Sequence, residues 1–124
     1  FTYALYPHVG TWKEARTVEE SYQLNLPAYA VQGGQPGRTF SYAAVEPRNV
    51  VLETVKQAEN GDGVVLRMYE CENARTKTAV RLPEGAQKAY LTNLLEEVQE
   101  ELPIVDGQVT LITKPFEIQT LLVK

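Results

Sequence analysis

The sequence predicts a mainly β fold, an antiparallel β-sandwich with one helix near the N-terminus. Two observations carry that reading. Asn49 to Glu72 holds two runs rich in β-branched residues, Val50-Val51-Leu52 with Val55 and Val64-Val65-Leu66, joined through Asn60-Gly61-Asp62-Gly63. Gly and Asn tolerate the positive φ of a tight turn, so this is the pattern of a hairpin. Elsewhere, short apolar runs are separated by turn residues at short intervals, and clear helical spacing appears in one early stretch.

Phe1 to His8 alternates Phe1, Tyr3 and Leu5 against Thr2, Ala4 and Tyr6, which is strand spacing closed by a proline. Thr11 with Glu14 has the spacing of a capping box. From Thr11 to Asn25, Trp12, Ala15, Val18 and Tyr22 form a helical stripe that ends before Pro27. Pro27 to Gln32 is a short extended segment and residues 33–37 a loop; that loop lacks the Lys-Ser/Thr ending of a phosphate cradle. Thr39 to Val45 is a strand, and Glu46-Pro47 turns into the main hairpin.

Within the hairpin, Leu66, Met68 and Glu70 share one face, and Val65, Arg67, Tyr69 and Cys71 the other. Asn73-Ala74 is a turn, Thr76 to Leu82 a strand, and Pro83-Glu84-Gly85 a turn. Ala86 to Leu102 supports two readings. Leu91, Leu94, Leu95, Val98 and Leu102 have helical spacing with a glutamate-rich wet face; the rival is a strand over Lys88 to Leu95 followed by an acidic loop. Asp106-Gly107 is a hairpin signal. Val109 to Thr113 and Pro115 to Val123 are the closing strands, with Phe116, Ile118, Thr120 and Leu122 on one face of the last.

The 124 residues have the length of one domain, 1–124, and at 44% hydrophobic and 23% charged they are ordinary for a folded chain. A net charge of −4 argues against nucleic acid or an anionic membrane surface as partner. One cysteine excludes an intrachain disulfide, and the expected compartment is the cytoplasm. Reactive thiols need a basic setting, and Cys71 stands between Glu70 and Glu72. A chain that opens inside a strand pattern, without Met, is expected to be a piece of a longer protein.

The chemistry-bearing residues are sparse. One His and one Cys cannot build a zinc site. The aspartates are Asp62 and Asp106, both in turn signals. Neither Ser21 nor Ser41 sits in a nucleophile elbow to pair with His8. Sixteen acidic residues are present, but nothing selects two as a glycosidase pair. Arg67 and Glu70 stand among apolar residues in one strand, so each is paired, exposed or turned toward another domain.

The strings FTYALYPH, LETVK, RMYE, NLLEE and KPFEIQT, taken together and in order, resemble the C-terminal β-domain of family 38 glycoside hydrolases, the α-mannosidases. The matches are Phe1, Tyr3 to Leu5, Pro7 and His8; Leu52 to Thr54 and Lys56; Arg67, Tyr69 and Glu70; Asn93 to Glu97; and Lys114 to Ile118 with Thr120. The resemblance implies a retaining, zinc-dependent parent that cleaves terminal α-mannosides. Its zinc ligands and aspartate nucleophile would lie in an N-terminal catalytic domain, with no cofactor in this chain. It also implies that the chain is inert alone and braces that catalytic domain of the same polypeptide, leaving room for an oligomer of the parent. His8, Arg67, Glu70 and Glu117 are the candidates for the seam or the substrate cleft. The resemblance favours the strand reading of residues 88–95, with the acidic part after Glu97 a loop or single turn. A free-standing carbohydrate-binding or protein-interaction sandwich is the alternative.

Overall fold

A computed structural model describes residues 3–34, 37 and 39–124. The chain divides into two compact units, Phe1–Thr39 and Phe40–Lys124.

The first unit contains helix α1, Thr17–Asn25. The helical stripe begins at Thr11, yet residues 12–16 form a separate turn. Arg16 takes φ 55°, its N–H reaches Lys13 O at 3.1 Å, and the Thr17 N–H reaches Trp12 O at 3.0 Å. That pair of bonds around a left-handed residue is a Schellman closure, which ends one helical turn before α1 starts. The Thr11–Glu14 box forms at the head of that turn: Thr11 N–H donates to Glu14 Oε2 at 2.7 Å and Glu14 N–H to Thr11 Oγ1 at 3.3 Å. The strand expected over Phe1 to His8 is not formed by its described residues, 3–8, and residues 27–32 form none; Phe1 and Thr2 lie outside the described residues.

The second unit is a two-sheet sandwich. Its strands are β1 Ala44–Glu46, β2 Val50–Gln57, β3 Val64–Glu70, β4 Thr76–Arg81, β5 Ala89–Thr92, β6 Val98–Leu102, β7 Gln108–Thr113 and β8 Ile118–Val123. They form an antiparallel sheet in the order β1-β4-β7 and another in the order β2-β3-β8-β5-β6. The strand expected over 39–45 shrinks to the three residues of β1.

Alternation decides the core. Leu66 and Met68 of β3 lie opposite Leu121 and Gln119 of β8, and all but Gln119 join the apolar cluster. Val80 and Val109 close it from the smaller sheet. A smaller cluster of Ala58, Val65 and Leu122 packs with Tyr90 on the other face of the larger sheet. In β2, Leu52 pairs with Met68 and Thr54 with Arg67, so Glu53 is an extra residue, a bulge.

The segment over 86–102 is not a helix, and the strand expected over Lys88 to Leu95 is present, shortened to Ala89–Thr92. The segment is a hairpin, β5 and β6, and the acidic stretch expected as a loop is an edge strand. Asn93 is the cause. Its Oδ1 accepts the N–H groups of Leu95 at 2.9 Å and Glu97 at 3.0 Å, and Asn93 O accepts that of Glu96 at 3.1 Å. Donors that would start a helix are thereby spent in a turn, with Glu96 at φ 65°. At the next turn, Asp106 and Gly107 both have positive φ, and Val105 bridges Gln108, as a type I′ turn requires. The last strand also starts later than expected, at Ile118, because Phe116 belongs to the preceding turn.

Gly63 marks the tightest approach in the main hairpin. Its φ is 114°, and a Cβ there would lie 2.6 Å from Val123 O. Gly63→Ala is expected to cost about 1–3 kcal/mol through strained backbone and a pushed strand end. Urea unfolding of the chain measures it, and an unchanged midpoint would refute the steric reading.

Candidate functional site

The site with the most unusual chemistry lies where β3 ends. Strand alternation sends Glu70 inward with Leu66 and Met68, and its side chain is 1% exposed. A carboxylate in such a place must be supplied with donors. Here the loops around it supply them. Glu72 N–H and Asn49 Nδ2 donate to Oε1 at 2.7 and 3.0 Å, and Phe116 N–H donates to Oε2 at 3.0 Å. Burial pushes the Glu70 carboxyl upward, but these donors, with the Ala74 N–H, outweigh it and hold the group below its ordinary value of 4.5.

Asn49 ties this carboxylate to the other sheet. Its Nδ2 also donates to Thr76 Oγ1 at 2.6 Å, and its carbonyl accepts the Cys71 N–H at 2.8 Å. A second buried polar chain lies beside it. The hydroxyls of Thr78 and Thr113 meet at 2.7 Å, Thr113 donates to Gln119 Oε1 at 2.9 Å, and Gln119 Nε2 donates to Ile112 O at 3.2 Å. This end of the sandwich is therefore clasped by hydrogen bonds where the rest is clasped by apolar contact.

The clasp presents the turn of residues 114–117. Glu117 N–H donates to Lys114 O at 3.1 Å, with Pro115 second and Phe116 third at φ 55°. That is the pattern of a type II turn, which ordinarily asks for Gly or Asn at the third place. A phenylalanine is held there by its N–H bond to Glu70, and its ring is 62% exposed. Glu117 Oε2 accepts the Lys114 N–H at 2.7 Å, and Glu117 O accepts the Glu70 N–H at 3.1 Å.

Of the sequence candidates, Glu70 and Glu117 are thus joined through backbone. Arg67 lies on the other face of the larger sheet, its Nε on Thr120 Oγ1 and its Nη2 on Leu94 O, each at 3.1 Å. Nearby on the same sheet, Lys56 pairs with Glu59 and, at 2.7 Å, with Glu96. Glu96 is held below its usual range by Lys56 and by the Glu59 N–H. His8 belongs to the first unit, its ring centroid 5.6 Å from that of Tyr6. Asn49 and Thr76 are not among the sequence candidates for the site, and Phe116 enters the sequence reading only as a residue of the last strand and of the matched run Lys114 to Ile118.

Among the described residues, no group of three or more His, Cys, Asp or Glu side chains could hold a metal ion. No helix among them is long and apolar enough to cross a membrane. At the other end of β3, an open groove of about 550 Å³ is lined by Tyr42, Lys56, Gln57 and Gly63 among others.

Residues 49–121 match the family model described as glycosyl hydrolases family 38 C-terminal beta sandwich domain. Over 129 aligned residues the chain is 36% identical to Alpha-mannosidase 2C1 of Homo sapiens and, equally, to that of Mus musculus, covering 98% of this chain and 12% of each relative. It is 29% identical over 128 residues to Alpha-mannosidase G of Dictyostelium discoideum, covering 97% of this chain and 12% of that protein.

Proposed function

The chain belongs to the family 38 glycosyl hydrolases, as their C-terminal β-sandwich domain, and from that premise we propose that it is the accessory, non-catalytic end of an α-mannosidase. The parent hydrolyses terminal α-mannosides with retention, in the cytoplasm, and its zinc and nucleophile sit in the catalytic domain. The described residues do not fit a zinc site: His8 is the single histidine of the sequence, and no group of three or more candidate ligands occurs among them. The role of this chain is to pack against that domain and hold it in shape.

The observation that carries the reading is the alignment of nearly the whole chain with 12% of each of two α-mannosidases. The Phe116 turn supports it, because one hydrogen bond of a buried carboxylate holds the backbone beneath an exposed ring. In this reading Phe116, Glu117 and Arg67 face the rest of the enzyme, and Glu70 acts from inside.

Phe116→Ser in the parent is expected to weaken interdomain packing by about 1.5–3 kcal/mol, the worth of one buried aromatic side chain. The parent should then inactivate at a lower temperature, while urea unfolding of this chain by itself stays unchanged. A chelator should abolish mannoside hydrolysis by the parent and leave the unfolding of this chain untouched. Equal thermal inactivation of variant and wild type would remove the Phe116 turn from the seam. The groove at Tyr42 supports a second reading, a mannoside-binding module; saturable mannoside binding by this chain, lost in Tyr42→Ala, would favour it.

A further inference from the structure

The Phe1–Thr39 unit has a feature that the sandwich lacks: none of its described side chains is buried. Leu5, Val9, Tyr29 and Val31 are each at least 90% exposed. Single exposed apolar residues are ordinary, but four nearly bare ones in so short a unit leave it without a core of its own. Helix α1 contributes none either. At nine residues, it is too short to persist in water on intrinsic propensity.

The unit also carries a cleft of about 280 Å³, lined by Leu5, Tyr6, Thr17 and Leu24 among others. Thr17 Oγ1 is shut off from solvent and has no hydrogen-bond partner among the described residues. An incoming side chain that fills the cleft covers apolar surface that the unit itself leaves open.

We infer that the Phe1–Thr39 unit is a docking arm whose exposed apolar residues are covered by the remainder of the parent polypeptide. That partner seats an aliphatic or aromatic side chain in the cleft. The inference rests on the functional reading above and specifies its surface. The occupant is argued from length. The chain spans 12% of each α-mannosidase it matches, so most of the surface within tether range belongs to the same molecule. A tethered partner acts at high effective concentration and needs no large affinity of its own.

Amide hydrogen exchange on this chain and on the intact parent tests it. Residues 4–9 and 28–31 should exchange in this chain at the rate of an unstructured peptide, and at least about tenfold more slowly in the parent. Equal fast exchange in both samples would overturn the inference. So would protection in this chain alone, because its own sandwich would then be the cover. Protection that grows with the concentration of this chain would assign the arm to a second copy and overturn it as well. Mannoside hydrolysis by the same parent sample separates the two readings. An active parent with an unprotected arm defeats the docking inference alone; an inactive parent with a protected arm defeats the mannosidase reading alone.

Discussion

Glu70→Gln is expected to lower the unfolding free energy of the sandwich by about 2–4 kcal/mol at neutral pH. The substitution keeps the shape and changes the chemistry. One oxygen becomes an NH₂ group facing either the Phe116 N–H or the donors from Glu72 and Asn49, all of which need an acceptor. The pH dependence follows with a definite sign. The folded carboxyl ionises below 4.5 and the unfolded one near that value, so the unfolded chain binds the extra proton as pH falls. The stabilisation is complete above the unfolded value and is lost as pH drops through the lower, folded one. Urea titrations of wild type and variant at steps from neutral to acid pH therefore converge at the acid end. Parallel curves across the whole range would show that Glu70 is not the group that titrates.

Leu66→Ala is expected to cost about 2–5 kcal/mol. Leu66 is fully buried, opposite Val55 on β2 and Leu121 on β8, at the middle of the main cluster. Both neighbours are strands fixed by hydrogen bonding, so the cavity has little freedom to collapse. The urea midpoint should fall with the slope unchanged. Leu94→Ala is the matched control: Leu94 is 59% exposed, and its loss should stay within about 0.5 kcal/mol. Similar costs at the two sites would contradict the placement of the core.

The difference between these leucines shows what the sequence could and could not reveal. Leu66 lies in a run bounded by turn residues, and that local chemistry is enough to identify the hairpin. Asp106-Gly107 likewise states its own geometry. Leu94 sits at helical spacing with Leu91 and Leu95, and only the side chain of Asn93, folded back on the following amides, turns that stretch into a hairpin. No periodicity reports such a bond. Glu70 falls between these cases. Alternation places it with Leu66 and Met68, but which face meets the core, and where its donors come from, depends on loops distant in sequence, at Asn49 and Phe116. The same long-range bond explains why Phe116 belongs to a turn although its spacing fits the last strand. In the first unit, the break at Arg16 is backbone geometry at a residue that sequence rules do not assign to a left-handed conformation.

The edge position of β6 has a consequence for behaviour at high concentration. An open sheet flank offers backbone groups to any passing strand, and a β sandwich with such a flank is at risk of fibrillation. Here the flank carries Glu100 and Glu101 in the strand. Two molecules that try to zip together along it bring like charges into register. The run that imitates a helix in the sequence thus serves the folded protein as a row of gatekeepers, keeping neighbouring copies apart.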